Sequence, residues 1–289
     1  MPYPSGAKQI IFFLLIFVSN YAFGDSQKNN ESSKTPGEYY KNLAINGKRA
    51  RAVDLIGNEL DVGPLTEGYR QELLETLSDI SGVFYSEKTL NLFQIGESLY
   101  YKNSTESLVS LGQALEREKY NLNILLAHTR ALLAANKCAE TEALASRTLK
   151  NYPTSNEAQL LLAQSYSCSG QVENLKNWLS GNGSKLGAKF DLEVLALRAG
   201  LVKAEEQPKL LGKYAKQMEQ IDPSYPETYY WKWKSKSLAE PEKLQIAKNY
   251  VAACRKVTSQ MRKKYKLEPR LCGNYEEVNQ NVLQSKEAQ

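Results

Sequence analysis

Residues 156–170, Asn156-Glu157-Ala158-Gln159-Leu160-Leu161-Leu162-Ala163-Gln164-Ser165-Tyr166-Ser167-Cys168-Ser169-Gly170, decide the fold. Gln159, Leu162, Ala163 and Tyr166 recur at intervals of three and four, which places them on one face of a helix. Pro153 stands just before the stretch, and Ser169-Gly170 ends it in a turn. A second helix then carries Leu175 and Leu179. The small Ala163 lets the two helices approach closely, and the larger Tyr166 on the same face fills the groove beside it.

The same arrangement lies upstream twice. Leu92, Ile95, Gly96 and Leu99 are followed by Leu108 and Gly112; Leu125, His128, Thr129 and Leu132 are followed by Thr141 and Ala145. Equivalent positions are separated by steps of 33 and then 34 residues, and Asn136-Lys137 supplies a turn like Ser169-Gly170. From about residue 38 onward apolar residues keep helical spacing, as in Leu73, Leu74, Leu77 and Ile80, and proline falls mainly at segment ends. No stretch alternates with a period of two, so no sheet is expected.

These residues resemble the tetratricopeptide repeat family. Its first helix carries a large residue, then Leu-Gly, then Tyr, and its second carries Ala and an aromatic, closed by Pro. Leu162-Ala163, Tyr166 and Gly170 match best. Pro153 closes the preceding unit, and Gln217 to Pro223 is similar to the family's closing stretch. The units lack the family's tryptophan, His128-Thr129 stands for Leu-Gly, and Asn182 to Lys185 breaks the register. The resemblance implies an all-α fold, a right-handed superhelix of stacked antiparallel helix pairs, whose first helices line a concave face that binds protein or peptide. The expected organisation is a signal peptide at 1–24, a flexible leader at 25–36, helix pairs at 37–88, the repeats at 89–223 and a basic helical cap at 224–289.

The signal is read from Lys8, the apolar run Ile10 to Val18, and the small residues of Ala22-Phe23-Gly24. Ser19-Asn20-Tyr21 interrupts that run before the roughly 20 residues a membrane span needs. The mature chain is expected to start at Asp25 and to be periplasmic or secreted. Ser26 to Thr35 has no apolar residue to bury, hence the leader. Hydrophobic residues make up 42% and charged residues 24% of the chain, which excludes wholesale disorder. Asn-x-Ser/Thr sites at Asn30, Asn103 and Asn182 matter only in a eukaryotic secretory route.

Cys138, Cys168, Cys254 and Cys272 allow three pairings, and an oxidising compartment favours disulfides. Their spacing and the single histidine give no zinc or thioredoxin motif, so neither metal nor cofactor is expected. In the register implied by the family, Cys138 opens the second helix of one unit and Cys168 closes the first helix of the next. That register pairs Cys138 with Cys168 and leaves Cys254 for Cys272, brought back through a turn near Pro269.

His128 occupies a buried position of the pattern and reads as a core or groove residue rather than a base. Gly181 to Gly187 fits neither phosphate-loop spacing. The chain is therefore read as non-enzymatic, with one reservation: Glu97, Glu157 and Glu193 could meet across a concave face, as carboxylate-only glycan cleavage requires.

The net charge is +5, and Lys232, Lys234, Lys236, Lys243, Lys248, Arg255, Lys256, Arg262, Lys263, Lys264 and Lys266 concentrate it late in the chain. These are solvated helix faces, or a surface facing an acidic protein or an anionic envelope surface; nucleic acid does not suit an exported chain. Tyr225, Tyr229, Tyr230, Trp231 and Trp233, interleaved with Lys232 and Lys234, form the densest aromatic patch. Helical spacing sends part of it into the core, Tyr230 and Trp233 together. Tyr229, Tyr230, Trp231, Lys232, Trp233 and Lys234 are nonetheless the candidate partner-binding set. Tyr100 and Tyr101 pose the same choice. The function expected is an envelope scaffold or adaptor for a protein or peptide partner; the second reading is a carbohydrate-active, peptidoglycan-related envelope protein.

Overall fold

The computed structural model describes residues 35–287 apart from 63, 83, 85, 101–103, 184, 204–206 and 236–238. The signal peptide, nearly all of the leader, Asn30, Asn103, Tyr101 and Lys236 lie outside the described residues.

Three helices come first: α1 (Pro36–Leu43), α2 (Arg49–Val62) and α3 (Glu67–Ser81), with a kink at Asn46 and Gly47 between the first two. Pairs follow. They are α4 (Glu87–Leu99) with α5 (Ser104–Arg117), α6 (Leu122–Ala134) with α7 (Cys138–Asn151), and α8 (Asn156–Cys168) with α9 (Val172–Gly181). After a short turn at Ala188–Phe190 come α10 (Asp191–Gly200) with α11 (Pro208–Ile221), and α12 (Glu227–Lys234) with α13 (Glu240–Arg255). The chain closes with α14 (Ser259–Lys264) and α15 (Tyr275–Glu287). Among the described residues there is no strand.

Local chemistry repeats as the sequence spacing does. Three first helices, α4, α6 and α8, start where a short polar side chain takes up free backbone N–H groups: Ser86 accepts from Thr89, Asn121 from Asn123 and Ile124, and Ser155 from Ala158. Two first helices end alike. Asn136 (φ 62°) and Gly170 (φ 70°) adopt the left-handed conformation, after which Lys137 N–H donates to the Leu132 carbonyl and Gln171 N–H to that of Tyr166, each at 2.9 Å.

Each helix from α4 to α9 packs on the next in the chain, as do those from α10 to α13, and the first helices α6, α8 and α10 also pack in succession. The small residues sit where the spacing places them: Gly96, Thr129 and Ala163 are all buried. A Cβ built on Gly96 would lie 2.5 Å from Leu111 of α5, so glycine there sets the distance between the two helices. The core is a series of linked clusters rather than one centre. Examples join Leu133, Ala145 and Leu161 across α6, α7 and α8, and Leu160, Ala163, Leu175 and Leu197 across α8, α9 and α10. This is the burial expected where one helix pair cannot cover its own apolar face.

The cysteines pair as the register implies. Cys138 and Cys168 are bonded with Cα atoms 5.6 Å apart, and Cys254 and Cys272 with Cα atoms 5.7 Å apart, both normal disulfide spacings. The first links α7 to α8; the second ties the end of α13 to the segment ahead of α15. No helix among the described residues is long and apolar enough to cross a membrane.

Candidate binding face and the segment lying on it

The first helices α6, α8, α10 and α12 share one face, and residues 265–274 lie back across it. Leu267, 6% exposed, enters the cluster of Leu160, Ala163 and Leu197, while its carbonyl accepts a hydrogen bond from Gln164 Nε2 at 2.9 Å. At the other end, Cys272 N–H donates to Glu227 Oε1 on α12 at 2.6 Å. Between them, Tyr225 donates its hydroxyl to Glu268 Oε2 at 3.3 Å. Tyr265 and Lys264 anchor the approach on Asp222, at 2.8 and 2.5 Å, and Ser224 donates to the same carboxylate. Burial would push the Asp222 pKa up, but these donors outweigh it and hold the value at about 2.

Beneath this segment is a partly open cavity of about 190 Å³, lined from the helices by Leu133, Gln164, Ser167, Leu197, Glu227 and Trp231 among others, and from the segment by Glu268 and Arg270. Burial raises the Glu227 carboxyl to about 7. Burial, reinforced by the negative charges of Glu227 and Glu193, raises Glu268 to about 8. Glu193, 5% exposed on α10, is pushed to about 7, again chiefly by burial.

The other carboxylates that the sequence could bring together are differently engaged. Arg130, 7% exposed in α6, sits between Glu97 of α4 at 2.6 Å and Glu157 of α8, joining three successive first helices through one guanidinium. Glu97 and Glu157 are thus ion-pair partners of Arg130 rather than an open pair. His128 is half-buried, and burial lowers its pKa. Gly181 ends α9, and Asn182, Gly183 and Lys185 lie in the turns beyond it.

The aromatic candidates divide. Tyr230 and Trp233, 7% and 8% exposed, pack with Ala247, Tyr250, Val251 and Val278, so they are not an exposed platform. Tyr229 and Trp231 are half-buried against the same cluster, and Tyr230 and Trp231 also reach the cavity. Lys232 pairs with Glu219 at 2.5 Å and Lys234 with Glu277 at 2.6 Å. The six residues therefore form no single surface. Tyr100 is buried too. Of the basic set, Lys243 pairs with Glu240, Lys264 with Asp222, and Arg255 donates to Tyr275 and Asn279.

Sequence reasoning missed Gln164, Glu227, Glu268 and Arg130. The first three come from distant parts of the chain and converge only after residues 265–274 fold back. Arg130 did carry a signal, the one full charge in the run Leu125 to Leu133, where only His128 and Thr129 are otherwise polar.

Fold and face together define an all-helical protein of consecutively packed helix pairs, compatible with a helical repeat. No known protein family matches the sequence, and no curated protein matches it.

Proposed function

We propose that the chain is a tetratricopeptide-like array, right-handed and superhelical, that serves outside the cytoplasm as a non-enzymatic scaffold or adaptor for a protein or peptide partner. One observation carries this reading: the face built by α6, α8, α10 and α12 already holds a peptide segment, its own residues 265–272. It does so with an apolar socket for Leu267, a side-chain amide on a backbone carbonyl, and a carboxyl on a backbone N–H. The segment is itself a run of turns, closed by Glu268 N–H on the Tyr265 carbonyl and Leu271 N–H on that of Glu268, and these contacts seize side chain and backbone of a peptide whatever its origin. The paired cysteines and the amino-terminal reading support a periplasmic or secreted location.

The test is site-specific photocrosslinking in an envelope extract. Probes at Ser167 and Gly200, on the inner face, should capture a protein partner, and probes at Lys176 and Lys213, on second helices, should not. Capture from the second helices alone would overturn the proposal. A carbohydrate-active role is the second reading, favoured by the raised carboxyls of Glu227 and Glu268 beside Trp231. Peptidoglycan turnover abolished by Glu268→Gln would establish it instead.

A further inference from the structure

We propose that the cavity between α6, α8, α10, α12 and residues 265–274 is a binding site for a primary ammonium group. The proposal goes beyond the reading of the face as a peptide groove and does not depend on it.

The walls lack a donor where one is needed. Gln164 is 7% exposed and lines the cavity; its Nε2 is spent on the Leu267 carbonyl, and its buried Oε1 has no hydrogen-bond partner among the described residues. Glu227 and Glu268 line the same space, Oε1 of the first already accepting from Cys272 N–H and Oε2 of the second from Tyr225. An ammonium group brings three N–H donors and no acceptor, so it can serve all three sites at once. Tyr230 and Trp231 also line the space, aromatic rings of the kind that attract a desolvated cation.

Charge points to the same ligand. Among the described lining residues two carboxyls stand against one guanidinium, that of Arg270, which leaves one negative charge without a counterpart. The two carboxyls compensate by holding a proton, with Glu227 at about 7 and Glu268 at about 8. An ammonium group would replace that proton. The other groups facing the carboxyls are Glu193 from α10, Tyr225 ahead of α12 and Tyr250 from α13. Both tyrosines are pushed above their ordinary value and stay neutral. Binding should therefore release protons, and affinity should rise with pH through the interval from about 7 to about 8.

The experiment is calorimetry on the full, oxidised chain, with n-butylammonium and an N-acetyl-lysine methylamide as probes, in buffers of differing ionisation enthalpy. Saturable binding with proton release is expected. Tetramethylammonium, which has no N–H, and n-butanol, which has no charge, should bind at least about tenfold more weakly. Glu268→Gln keeps an acceptor for Tyr225 and should cost roughly tenfold in affinity and remove most of the proton release. Tighter binding of the lysine compound would assign the site to a lysine of a partner chain; equal or weaker binding would assign it to a free amine. The proposal is overturned if neither amine binds up to about 10 mM, if n-butanol binds as well, or if Glu268→Gln, folded by circular dichroism, binds unchanged.

Discussion

At the scale of single residues, the buried acids set how stability depends on pH. Glu227 and Glu268 have folded values raised from an ordinary 4.5, so the folded protein holds more protons than the unfolded chain between those limits. Their stabilising contribution is complete below about 4.5 and is lost as pH rises through about 7 and then about 8. His128 acts in the opposite sense, but only below its ordinary 6.5. Asp222, depressed from 3.8 to about 2, contributes above 3.8 and loses that contribution as pH falls towards 2. Calorimetric scans should therefore show the unfolding temperature falling between about pH 6.5 and about pH 8, and Glu268→Gln should flatten that slope. Arg130 gives a second residue-level expectation. Truncating it to Ala strands Glu157 and half-exposed Glu97 and should cost about 3 kcal/mol in urea unfolding. Neutralising both acids in the same variant should recover much of the loss.

At the scale of elements, two neighbouring glycines should respond in opposite ways to the same change. Gly96→Ala drives a Cβ to 2.5 Å from Leu111 and should destabilise the α4–α5 pair by about 1–3 kcal/mol. Gly112→Ala on α5 meets only His128 at 3.8 Å, an ordinary contact, so the gain in helix propensity, about 0.5–1 kcal/mol, should prevail. Urea titration of both variants measures the contrast. Elements were also what the sequence disclosed best. The three-and-four spacing of Leu162, Ala163 and Tyr166, and the turns at Asn136 and Gly170, depend on nearest neighbours and can be read locally. Residues 265–274 have no such period; only Pro269 and Cys272 signalled a reversal, and nothing local said that Leu267 would enter a socket on α8. Tyr230 and Trp233 show the same limit, since helical spacing put them on one face without saying that α13 and α15 would cover it.

At the scale of the whole molecule, the linked clusters make stability a matter of interfaces between neighbours, and the two disulfides fasten two of those joints. Replacing Cys138 and Cys168 by Ser should cost about 3 kcal/mol, because the bond closes a long loop in the unfolded chain; differential scanning calorimetry would measure it. The contact between Gln164 and Leu267 bears on how the molecule comes into being. Most helices find partners within the next few dozen residues, but this contact spans 103 residues of chain. A chain emerging from its amino terminus can assemble α4 to α9 long before residue 267 exists, whereas closing so long a loop is slow in entropic terms. The face formed by α6, α8, α10 and α12 is accordingly completed late. While it waits, its apolar socket stands open in the nascent chain, a period when a folding helper or the eventual partner could reach it first.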